Sequence, residues 1–81
     1  MSKVLVTGGT GFVASHVIKK FVAEGFIVST TVRGLDDEKR NFVTGLGAVE
    51  VFECNLLKSE GWEDAIRGKD LVVHVAIIYE Y

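Results

Sequence analysis

Short apolar runs separated by longer amphipathic stretches recur along this chain, and the alternation predicts strand and helix in turn from end to end. Val4-Leu5-Val6 centres the first strand, β1, over residues 3–7. From residue 11 to 24, Val13, Val17 and Phe21, with Ala14 and Ile18 beside them, recur at the spacing of one buried helical face. His16, Lys19, Lys20 and Glu24 fall outside that face, which predicts the helix α1, closed by Gly25. Strand β2 is expected over residues 26–32. A charged helix, α2, starts at Asp36 or Asp37 and is broken by Gly45 and Gly47 before β3 at residues 49–53. A short helix, α3, is expected over residues 60–66, and β4 over residues 71–78. Apart from His74, β4 is a continuous apolar run, as a strand covered on both faces reads. Glu50 and Glu53 mark β3 as an outer strand.

Units of this kind, joined by right-handed crossovers, build an α/β fold: a parallel four-stranded sheet in the order 3-2-1-4 with three helices. That is one half of a doubly wound fold. In this order β4 is a core-like strand at an edge, and such an edge invites pairing. The expectation is either a truncated piece of a longer sheet or a homodimer that joins β4 to β4.

With 81 residues, 48% of them hydrophobic, residues 1–81 make a single domain, near the size at which one core is only marginally stabilising. A net charge of -2 provides no basic field, so neither nucleic acid nor an anionic membrane is an expected partner. A small anionic ligand must then be held by local groups. No apolar run reaches the length of a membrane span and no signal-peptide pattern precedes β1, which predicts a cytoplasmic protein. The single cysteine, Cys54, reads as a packed thiol.

Directly behind β1 stands Thr7-Gly8-Gly9-Thr10-Gly11-Phe12-Val13-Ala14, with the spacing Gly8-x-x-Gly11-x-x-Ala14. Strand, glycine turn and helix in that order form a phosphate cradle for a dinucleotide. Gly8 lets the chain leave the strand, Gly11 has no Cβ to screen the backbone amides, and Ala14 lets the helix approach the sheet. The candidate pyrophosphate residues are Gly8, Thr10, Gly11, Phe12 and Val13. At the end of β2, where an acidic residue would accept from the ribose 2′-hydroxyl of NAD, stands Arg33. A guanidinium pairs with a 2′-phosphate and cannot accept from a hydroxyl, which favours NADP(H). Arg40, in the next helix, is a candidate second cation; alternatively both arginines pair with Asp36, Asp37 or Glu38. Asp36 and Asp37 are the competing candidates for a ribose acceptor, and they fit helix N-caps equally well. Asn55 and Leu56, after β3, are candidates for the adenine ring, and Val75 and Ala76 for the cleft where β1 and β4 diverge. His74 reads as a hydrogen-bonded structural residue, and Trp62 as a packing anchor. No metal-ligand spacing is present.

The segments 4–16, Thr31-Val32-Arg33, Gly61-Trp62-Glu63-Asp64-Ala65 and Val73-His74-Val75-Ala76 together resemble the amino-terminal, Rossmann-type part of extended short-chain dehydrogenase/reductases. The likeness is strongest to the dihydroflavonol reductase and cinnamoyl-CoA reductase group. It implies that the glycine turn holds the pyrophosphate and that Arg33 and Arg40 hold the 2′-phosphate, in a reductase of aldehydes or ketones. Two positions depart from the pattern. Asn55 replaces the family's acidic adenine contact, and Ile77-Ile78 replace Ser or Thr followed by Pro. The family's catalytic Ser/Thr and Tyr-x-x-x-Lys pair fall beyond Tyr81, so no residue here is assigned a catalytic role. The expected function is the NADP(H)-binding portion of a carbonyl reductase. The alternative is a scaffold or dimerisation module with an empty cradle.

Overall fold

The computed structural model describes residues 2–55, 59 and 61–75. Its elements follow the predicted order: β1 (Lys3–Val6), α1 (Phe12–Ala23), β2 (Ile27–Val32), α2 (Asp37–Gly45), β3 (Glu50–Glu53), α3 (Trp62–Ile66) and β4 (Leu71–Val73). All three strand pairings are parallel and the sheet order is β3-β2-β1-β4, as the alternation of periods predicts. Leu56 and Ala76, two of the candidate site residues, lie outside the described residues, as do residues 76–78 of the expected β4.

Strand alternation distributes the core over the two sheet faces. Val4, Val6 and Val28 point to one face and pack with Ala14 and Ile18 of α1, and further along it Val32 packs with Val43 of α2 and with Ala48. Leu5 points to the other face, where it meets Cys54 and Ala65, with Phe52 and Trp62 against them. Thus α1 and α2 cover one face and α3 the other. On the outer strand Glu50 is paired rather than merely solvated: its Oε1 accepts from Ser29 Oγ at 2.9 Å and lies 3.5 Å from Lys69 Nζ.

Three expectations are corrected. The buried stripe of α1 is centred on Ala14 and Ile18; Val17 and Phe21 are half-buried and Val13 is exposed. Helical spacing sets which residues share a face, whereas the rotation about the axis follows from how closely the helix sits on the sheet, and there a small Ala14 fits where a valine does not. Strand β4 ends at Val73 rather than running on. Its partner β1 stops at Val6, Thr7 N donates to Val73 O at 3.0 Å as the last rung, and Val75 N turns to the Thr7 side chain. Nor is β4 covered on both faces: Leu71 and Val72 are 44% and 42% exposed.

Candidate functional site

The carboxyl ends of the strands open onto a cleft of about 360 Å3 lined by Thr7, Gly8, Thr31, Arg33, Cys54, Asn55, Trp62 and Val75. Four of the candidate residues therefore meet there: Gly8 from the turn, Arg33 from the end of β2, Asn55 from the end of β3 and Val75 from beyond β4. This is the position at which parallel α/β sheets bind ligands, because the strands on either side of β1 are reached by connections running in opposite directions.

Behind β1 the glycine turn is held from within. Gly8 has φ +71°, which an L side chain rarely adopts, and its amide donates to Thr31 Oγ1 at 3.1 Å. Gly9 N donates to Thr31 O at 2.9 Å, and a Cβ at Gly9 would collide with Thr30 Oγ1, itself fixed by donating to Val6 O at 2.6 Å. Gly11 N donates to Gly8 O at 2.9 Å. The amides of Gly8, Gly9 and Gly11 are thus used by the turn itself. The first intrahelical bond of α1 runs from Ser15 N to Gly11 O, and no side chain caps the helix. The first-turn amides, Phe12 and Val13 among them, are the donors that a helix cannot satisfy on its own, and they sit at the positive end of its dipole. The chemistry of this end suits an anion.

Other candidates sit apart from the cleft. Thr10 borders a second hollow with Asp36, Glu38, Lys39 and Phe42. The side chains of Phe12 and Val13 face outward: Phe12 is 77% exposed, stands edge-on to His16 with ring centroids 4.6 Å apart, and borders an apolar groove with Val13, Val17 and Phe21. Their contribution to the turn is therefore made by the backbone. Arg40 is exposed in the first turn of α2. Asp36 is the N-cap of α2, its Oδ1 accepting from Lys39 N at 2.8 Å, which is the capping alternative for that carboxylate.

Residues outside the set of cofactor candidates also shape the cleft and its rim. Thr7 Oγ1 accepts from Val75 N at 2.9 Å and lies 3.1 Å from His74 Nδ1, so one hydroxyl ties the ends of β1 and β4. His74 is hydrogen-bonded as its place in an apolar strand suggested. Trp62 packs beneath the cleft and donates from Nε1 to Asn55 O at 2.9 Å. Cys54 is a buried free thiol, pushed up by burial and then by the neighbouring Glu53 carboxylate, so the form present at neutral pH is not the nucleophilic thiolate. The threonines carried a readable signal, since polar side chains in the middle of a parallel strand need partners.

A family model described as the NAD dependent epimerase/dehydratase family matches residues 4–80. The chain belongs to the NAD dependent epimerase/dehydratase family. Among its relatives, tetraketide alpha-pyrone reductase 2 of Arabidopsis thaliana is 37% identical over 81 residues, covering 94% of this chain and 25% of that protein. Anthocyanidin reductase ((2S)-flavan-3-ol-forming) of Vitis vinifera is 40% identical over 75 residues, covering 88% of this chain and 22% of that protein. The crystal structure of vestitone reductase from alfalfa, Medicago sativa, superposes with a TM-score of 0.77 at 34% identity, over 94% of this chain and 25% of that one. The chain thus spans about a quarter of the length of the curated relatives it matches. Both the Rossmann fold and the kinship with these reductases, read from the four motifs, are borne out. Among the described residues of this family member, no helix is long and apolar enough to cross a membrane.

Proposed function

We propose that these 81 residues form the NADP(H)-binding portion of a carbonyl reductase acting on an aldehyde or ketone. The observation that carries this reading is Arg33, which lines the same cleft as Gly8 from the end of β2, where the adenosine ribose of a dinucleotide lies in such folds. In this reading the amides of Thr10, Phe12 and Val13 hold the pyrophosphate, and Gly8 and Gly11 leave it room. Arg33 and Arg40 pair with the 2′-phosphate. Asn55 and Leu56 flank the adenine, and Val75 and Ala76 line the cleft beyond it. A bound nicotinamide supplies the hydride. The reading gives these residues cofactor binding and no catalytic group.

Calorimetric titration with NADPH and with NADH tests it. The expected result is tighter binding of NADPH, reduced about tenfold or more by Arg33→Glu, since one charge-assisted hydrogen bond is worth roughly 1.5–3 kcal/mol. Equal affinity for the two dinucleotides, unchanged by Arg33→Glu, would reject the 2′-phosphate assignment. Absence of binding at millimolar concentration would reject the cradle as well. A second reading has one observation in its favour: the exposed apolar residues Leu71 and Val72 on an edge strand suit a homodimer joined through β4. It predicts a stable dimer indifferent to nucleotide.

A further inference from the structure

The flank of α1 that turns away from α2 has no helix beside it among the described residues. On the α2 side Val22 lies so close to Gly47 that a Cβ there would collide with it, whereas on the other side Val17 and Phe21 lean onto the cluster that also holds Val73 and Val75. That second flank therefore overlooks β4. With Val13, and with His16 and Lys20 along its rim, it forms a hollow of about 450 Å3 running from Phe12 to Phe21, roughly 14 Å along the helix. The sheet below it is open as well. In the parallel register Leu71 and Val73 pair with Val4 and Val6 and so point to the face that α1 covers, yet Leu71 is 44% exposed.

Strands lie about 4.8 Å apart and a helix is about 10 Å across, so one helix covers two strands. With α1 over β1 and β2, and α2 over β3, the next place in that layer lies over β4 and is one helix wide. A helix laid there meets the flank of α1 and the side chain of Leu71 with a single apolar stripe. Charge narrows the occupant further. Helix α1 carries His16, Lys19 and Lys20 and no carboxylate, although the net charge of the chain is -2, so its basic rim is a local feature. Lys20 Nζ lies 3.8 Å from Glu24 Oε1, but both side chains are exposed, and such a pair holds the ammonium too weakly to keep it from a second carboxylate.

We propose that the trough between α1 and β4 docks an amphipathic helix of a protein partner, apolar toward Val13, Val17 and Leu71 and carrying carboxylates opposite Lys20. The probe is a labelled synthetic helical peptide of about four turns, with leucine at every third or fourth position and glutamate on either side of that stripe. Its counterpart with lysine in place of glutamate is the control, and binding is read by fluorescence anisotropy. The glutamate peptide is expected to bind about threefold tighter than the lysine peptide, and Lys20→Glu to reverse that order. Val13→Asp is expected to weaken both peptides about tenfold, with thermal unfolding as the check on fold. If Val13→Asp does not fold, Leu71→Ser, on the sheet side of the trough, is read by the same criterion. Absence of binding, equal binding of the two peptides, or binding indifferent to Val13→Asp overturns the proposal. Self-association of the unaltered chain that Val13→Asp abolishes assigns the trough to a second copy, and overturns it too.

Discussion

At Thr31 one residue secures two glycines, its hydroxyl accepting from Gly8 N and its carbonyl from Gly9 N. Thr31→Val keeps the shape and removes the acceptor, breaking the part-buried hydrogen bond from the Gly8 amide. The expected cost is about 1 kcal/mol, a fall of roughly 4–8 °C in Tm by calorimetry for a domain of this size. Cys54 ties stability to pH. A thiol whose value is raised on folding holds its proton more tightly in the native state than in the unfolded one. Stability is then complete at neutral pH and declines as pH rises past the ordinary thiol range near about 8.5. Denaturant midpoints measured from neutral pH upward should show that decline, and Cys54→Ala should remove the slope. Of the individual side chains, Arg33 and Asn55 were legible because a position at a strand end is a local property. The bonds of Lys39 were not, because they depend on which carbonyls its ammonium reaches.

Among the elements, α2 depends most on its cap. It is polar, buries only Val43 deeply, and begins at Asp36, whose carboxylate satisfies the Lys39 amide, with Asp37 and Glu38 following in the first turn. Asp36→Ala is expected to cost about 1 kcal/mol by chemical denaturation. Amide exchange should then speed up in the first turn of α2 before it does in β1. The limits of α1 agreed with its pattern to within a residue at each end, since Gly11 and Glu24 are its caps and cap chemistry is written locally. Its rotation on the sheet did not, because the stripe through Val13 and the stripe through Ala14 lie about 100° apart around the helix and close packing on the sheet turned the one with the smaller residue inward. The length of β4 was overestimated for a related reason. Val75 is as apolar as a strand residue should be, but β1 no longer offers it a backbone partner.

For the whole molecule, the open question of assembly falls on β4, whose outer edge has no strand beside it among the described residues. If two copies pair there, sedimentation of the unaltered chain should depend on concentration, and Val72→Lys should leave a monomer. A chain monomeric at every concentration tested would reject that pairing. Element order, parallel topology, strand order and the glycine turn were all readable from the pattern of residues. Periodicity, crossover handedness and the steric needs of a tight turn act over a few neighbouring positions and allow few alternatives. What needed the folded chain were the ties made across it: Thr31 to Gly8 over 23 residues and Thr7 to Val75 over 68. Those contacts, with the packing that turned α1 onto Ala14, depend on which distant groups the sheet brings within a hydrogen bond or a methyl radius of each other, and no local spacing records that distance.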